Sequence, residues 1–342
     1  MRHNRYRCMP RFAGVALLGL AALIGSRPPA IAETDSTTLS LPGDGVTFLP
    51  FYAAQAEHFF ERQGLTVKTV YIPGVGTTNA VISGAVDFGI SNGVSLTRAA
   101  AHGQDLLAIA NMSDRPGWTL VMRRDAVAES GVNLKAPLAE RLKILKGHTF
   151  AIDTVNSLAH AYLRVLEKAG GIDPESVPIT PVQPQDAIAV LERKGIDGYV
   201  GNSPFTEMGE MEAGGVPVAS ALDNEPPGLY PIALGMVVTR PQFCVARRAT
   251  CMRMGQAMAA GLNFVHQHRQ QAYAILKHHF NKLDDKLLAA AFDNLEKVLA
   301  RSPAIVEAAI ANSDRLNIEA GFMKPAEARS SYRDLFTDEF VR

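Results

Sequence analysis

Charge surplus is the first thing this chain lacks: 34 Lys and Arg offset 34 Asp and Glu across 342 residues. A nucleic-acid binder needs a basic excess against phosphates, so that class is excluded. No block of like charge marks an acidic or basic tail. Cysteine is scarce, with three residues, and tryptophan occurs once. Beyond the N-terminus, no run is apolar enough to cross a bilayer. The glycine turn "PGVGTTNA" carries no following Lys, so it is not a P-loop, and Asn79 breaks the dinucleotide pattern. His266, His268, His278 and His279 never pair at i,i+4 on a helix, which argues against a metal. The sequence calls for no cofactor and no metal.

The N-terminus supplies what the rest withholds. A basic "MRHNRYRCMPR", an apolar "FAGVALLGLAALIG" and a small-residue end at Ala30-Ile31-Ala32 spell a secretory signal peptide over residues 1–32. An uncleaved anchor is the rival reading, although the apolar run is short for a span. "RYR" is not a twin-arginine pair, which favours general export. Cys8 would leave with the signal, so Cys244 and Cys251 remain, in "CVARRATC". In an oxidising compartment the pair suggests a disulfide, and two buried thiols are the alternative. A continuous helix would hold their Cα atoms about 10 Å apart, too far to bridge.

The chain then alternates short apolar runs with helical stretches, the pattern of a parallel sheet between helix layers. "TTLSLPG", "TVKTVYI", "VDFGIS" and "LLAIANMS" read as strands. Between them lie the helices "LPFYAAQAEHFFERQG", "GTTNAVISG", opened by Thr77 or Thr78, and "NGVSLTRAAAHG". A second series repeats the order: "HTFAIDT", "VPITPV", "IDGYVGNS" and "VPVASAL" as strands, with helices between. "IALGMVV" reads as a strand returning to the first unit, and the chain from about Pro241 is mainly helical. "SGAVDFGIS" and "RKGIDGYVGNS" are the same device twice: glycine, aspartate, a buried strand, then Ser and Asn. Asp87 and Asp197 fall at strand starts. The Ser-Asn pairs fall at carboxyl ends, where open α/β sheets bind ligands. The fold class is therefore α/β, two similar lobes facing across a cleft. Lobe I is expected over 36–120 and 232–342, with the C-terminal helices, and lobe II over 121–231.

"FYAAQAEHFFERQGLTVKTVYIPGVGTTNAVISGAVDFGISNGV" resembles the start of the nitrate/sulfonate/taurine and thiamine-pyrimidine substrate-binding proteins of ABC importers. "DAIAVLERKGIDGYVGNSPF" resembles the second-lobe counterpart, and "IEAGFMKPAEARSSYRDLFTDEFVR" the usual C-terminus. The resemblance implies a type II periplasmic binding protein. It would be a periplasmic monomer that closes over a small molecule and meets the membrane only through an ABC permease and its ATPase.

Expected cleft residues are Asp44, Phe48, Phe51 and Tyr52 after the first strand, then Gly76, Thr77, Thr78, Ser91 and Asn92. Ser113 and Trp118 come from the crossover, and Thr154, Asn156 and Ser157 from the second lobe. Asn202, Phe205 and Tyr230 complete the set. Glycines and hydroxyls at helix N-termini offer N–H groups to a polar ligand edge. Arg115 is the one obvious cation, with Asp44, Asp114 and Asp153 near it or in comparable turns. The residues thus favour an organic ligand bearing a ring or an amine (sulfonate-like, pyrimidine-like or aromatic carboxylate) over a naked oxyanion. Two enzyme readings compete. "GISNG" satisfies the nucleophile elbow with Ser91, and would need a late His such as His266 or His279. The resemblance also includes pyrimidine synthases, but the Cys-Cys-Cys-Phe-Cys run they carry is missing.

Overall fold

The computed structural model describes residues 35–342; the signal peptide expected over residues 1–32 lies outside the described residues. Ten strands form two five-stranded sheets. They are β1 (Asp35–Leu41), β2 (Leu65–Tyr71), β3 (Phe88–Ser91), β4 (Leu107–Ser113), β5 (Thr119–Arg123), β6 (Phe150–Ile152), β7 (Ile179–Pro181), β8 (Gly198–Gly201), β9 (Gly215–Ser220) and β10 (Gly235–Thr239). One sheet runs β2-β1-β3-β10-β4 and the other β7-β6-β8-β5-β9. In each sheet four strands run in one direction and one runs antiparallel to them: β10 in the first and β5 in the second. Both antiparallel strands follow a crossing of the chain between sheets.

The repeated aspartates hold equivalent places. Asp87 accepts from the Thr38 backbone N–H at 3.0 Å and from the Thr37 hydroxyl at 2.8 Å. Asp197 accepts from the Thr149 N–H at 2.9 Å and from the Arg123 guanidinium at 2.9 Å. Each carboxylate thus ties its strand to the start of the neighbouring one.

Two helix readings differ from sequence. The stretch after β1 breaks at His58, in the left-handed region, between helices Leu49–Ala56 and Phe59–Arg62. Helix Gly76–Ser83 begins ahead of Thr77, with Val75 at its N-cap position and no side-chain cap, and the Thr77 hydroxyl donates back to the Ile72 carbonyl at 2.8 Å. Both flanking glycines, Gly64 and Gly84, have positive φ, as helix C-caps require.

The first sheet packs Leu39, Leu41, Phe88 and Ile90 against Phe51, Phe60 and the long helix Arg248–Gln267. Gly261 permits that contact, since a Cβ there would sit 2.1 Å from the Pro50 carbonyl oxygen. The second sheet packs Leu120, Phe150 and Val200 against Tyr162 and Leu166. Helix Glu307–Glu319 serves both cores. Leu316 joins the second, while Ala309 and Ile310 pack with Leu96, Ala108 and Val238 beside the first sheet. Cys244 and Cys251 are joined by a disulfide. Arg247 interrupts the helix there, which brings their Cα atoms to 5.6 Å.

Candidate functional site

Between the two sheets lies a cavity of about 150 Å³, walled by carboxyl ends of strands and by helix starts from both. From the first lobe come Phe48, Val75, Thr78, Ser91, Asn92 and Ser113; from the second, Asp153, Ser157, Leu158, Val200 and Asn202. Trp118 stands at the crossover between them. This geometry follows from the repeated device: β3 ends at Ser91 and β8 at Gly201, so both Ser-Asn elements arrive at one place.

Two helices begin at the cavity, and each is capped by its own side chain. Asn92 Oδ1 accepts from the Ser95 N–H at 2.9 Å, and Ser157 Oγ accepts from the His160 N–H at 3.1 Å. The cap uses the Asn92 oxygen and leaves its amide nitrogen, a donor, at the cavity. Thr78 and Ser91 share a buried hydroxyl–hydroxyl bond of 2.7 Å. Ile90, Met112, Leu158, Val200 and Leu234 supply apolar wall.

Of the residues expected at a cleft, Phe48, Thr78, Ser91, Asn92, Ser113, Trp118, Ser157 and Asn202 line this cavity. Asp44 and Phe205 line its mouth, an adjoining hollow shared by Tyr71, Gln183 and Phe280. The others lie elsewhere. Phe51 is fully buried in the first core, where alternation of the helix face turns it inward. Tyr52 is buried and stacks on His279 with ring centroids 3.8 Å apart. Thr77 is buried against Ile72, and a Cβ on Gly76 would meet that same side chain at 2.9 Å. Asn156 lines a separate surface hollow beside Arg98, and Tyr230 another, stacked under Arg115 at 4.4 Å. Thr154 packs across the lobes on Gly74, whose φ of +54° suits glycine; a Cβ there would fall 2.6 Å from Thr154 Oγ1. Beside it, the Arg98 guanidinium donates to the Asn156 carbonyl at 2.7 Å, a second contact between lobes.

Sequence reasoning did not select Asp153, Thr47, Val75 or Leu234. Asp153 carried a signal: it directly follows β6, at the carboxyl end of a strand and four residues ahead of Ser157, the cap of helix Leu158–Gly170. Burial holds its carboxyl above the usual carboxylate range, while the Ser157 hydroxyl and local backbone N–H groups pull the other way. Burial, with Arg164 and Arg98 nearby, lowers His160 to about 4, and its Nδ1 accepts from the Asn156 N–H at 2.9 Å.

The elbow reading finds no base. The Ser91 hydroxyl pairs with Thr78, whereas His266 Nε2 bonds the Ala300 carbonyl at 2.8 Å and His279 stacks on Tyr52. Among the described residues no group of three or more His, Cys, Asp or Glu could hold a metal ion. Nor is any described helix long and apolar enough to cross a membrane.

Two α/β lobes, each with one antiparallel strand contributed after a crossover, and a ligand-sized cavity between them define a type II periplasmic-binding-protein fold. The chain belongs to the NMT1/THI5-like family, whose model matches residues 46–272. Solved structures with the same fold include the alkanesulfonate-binding protein SsuA of Xanthomonas axonopodis pv. citri, bound to MOPS. It is 15% identical, with a TM-score of 0.69, and the match covers 86% of this chain and 96% of that one. The periplasmic nitrate-binding protein NrtA of Synechocystis is 13% identical with a TM-score of 0.66, covering 86% and 83%. A Bordetella bronchiseptica protein reaches a TM-score of 0.75 at 17% identity, covering 91% and 96%. Comparison with curated proteins returns no match.

Proposed function

We propose that this chain is the exported solute-binding component of an ABC importer, capturing a small organic molecule between its lobes and delivering it to a membrane permease. The observation that carries the reading is the cavity itself. It is enclosed by both lobes, apolar along its walls, and edged by hydroxyls and amides at Thr78, Ser91, Asn92, Ser113, Ser157 and Asn202. Such a site orients a ligand by a few polar groups while burying most of its surface. Family membership and the sulfonate- and nitrate-binding relatives sharing the fold support it. The lobes we assign are 36–120 with 232–342, and 121–231, closing as a hinge around the ligand. Lack of a base at Ser91 weighs against hydrolysis.

A thermal-shift panel of sulfonates, nitrate, pyrimidines, aromatic carboxylates and aromatic amines on the mature protein tests the reading. One compound at about 100 times its Kd should add about 2.7 kcal/mol of stability. Because Trp118 is the sole tryptophan, the same compound should change its emission. A panel in which no compound class shifts melting or emission contradicts the role.

A further inference from the structure

The cavity carries a charge that nothing in its own wall answers. Among the described residues Asp153 is the only ionisable one lining it, and no described Lys, Arg or His joins it there. The adjoining mouth adds Asp44 and again no lining cation, although His279 approaches Asp44 from outside at 3.4 Å. The Ser157 hydroxyl donates to Asp153 Oδ1, and the Gln183 amide donates to the Asp153 backbone carbonyl at 3.2 Å, not to the carboxylate. These are dipoles, not counter-charges. No charged neighbour figures among the influences on this carboxyl, whose proton affinity burial raises. An ionised carboxylate in a partly enclosed site is costly unless paired, and an anionic ligand would add like-charge repulsion to that cost.

The surrounding wall suits a cation with a flat body. Phe48 and Trp118 present aromatic rings, and aromatic faces attract cations as well as stacked rings. Asn202 lines the same cavity and its adjoining mouth and carries an amide oxygen, a further acceptor for a donor nitrogen.

Resting on the binding role proposed above, we propose that Asp153 is the subsite for a protonated nitrogen, so that the cavity selects an organic cation, an aromatic amidine or amine, over a sulfonate, nitrate or carboxylate. The carboxylate accepts the N–H group while the ring lies against Phe48 and Trp118. Asp44 at the mouth biases entry in the same direction, by the ordinary attraction of a like-signed rim for its counter-ion.

Three near-isosteric probes separate the possibilities: benzamidinium, benzamide and benzoate, measured by calorimetry on the mature protein and on D153N. Wild type should bind benzamidinium at least tenfold more tightly than benzoate. D153N should lose at least tenfold for benzamidinium while changing little for benzamide, because only the charge partner has gone. If Asp153 were only structural, all three probes would weaken together, and that result would overturn the inference. So would benzoate binding wild type as tightly as benzamidinium, or benzamidinium not binding at all. If D153N does not fold, the wild-type comparison of benzamidinium with benzoate decides alone. An anion that stabilises the protein and shifts Trp118 emission equally in D153N would leave the solute-binding role standing and remove this inference.

Discussion

Asp153 illustrates how a site residue trades stability for binding. Its carboxyl is held above the usual range chiefly by burial. The folded chain therefore keeps this proton where the unfolded chain has already lost it, and stability falls as pH rises from the ordinary carboxylate value through the raised one. D153N removes that loss. Its melting temperature relative to wild type should be higher at pH 7 than at pH 4, whereas parallel profiles would mean the carboxyl is not strained by burial. His160 works in the opposite window. With a value lowered from 6.5 to about 4, it is buried neutral, and the unfolded chain binds more protons between those limits. Stability should rise with pH from about 4 to about 6.5, and H160Q should flatten that part of the melting profile. Ser91 offers the third residue-scale test. S91A leaves the buried Thr78 hydroxyl without its 2.7 Å partner, which costs about 1–3 kcal/mol. No fluorophosphonate probe should label wild-type Ser91; labelling that S91A abolishes would revive the hydrolase reading.

At the scale of elements, specific contacts join the lobes beside the cavity. Gly74 approaches Thr154 so closely that a methyl group cannot be added without displacing the Thr154 side chain or the backbone beside it. G74A should therefore resist closure, seen as a larger radius of gyration and weaker ligand binding. Removing the opposing atoms with T154A should restore much of both; failure of that rescue would point to backbone strain at φ +54° instead. The disulfide closes a short loop at the break between two helices, so replacing Cys244 and Cys251 by Ala should cost about 2.5 kcal/mol on the chain-entropy model. Much of this layer was legible in sequence. Strand–helix alternation, the Gly64 and Gly84 caps and the doubled Gly-Asp strand all rest on local backbone preference and short-range pattern. What escaped depends on tertiary direction. Phe51, Tyr52 and Thr77 share a turn with cavity residues, yet the helix face or a local hydrogen bond points them into the core. Tyr230 and Asn156 sit on the right loops but face separate hollows. Asp153 escaped for a different reason: its weight comes from the absence of a counter-charge on the facing lobe, which no single stretch of sequence reveals.

For the whole molecule, the arrangement amounts to two copies of one α/β unit that lend each other a strand and share a cavity. Helix Glu307–Glu319 packs into both lobes, and the Arg98–Asn156 and Gly74–Thr154 contacts join them beside the cavity. The proposed role requires ligand-dependent closure of the two lobes. Small-angle scattering on the mature protein, titrated with the compound that gives the largest thermal shift, measures it most directly. The radius of gyration should fall saturably, with the same midpoint as the change in Trp118 emission. A compound that binds at the cavity yet leaves the scattering profile unchanged would contradict a closing, two-lobed solute carrier.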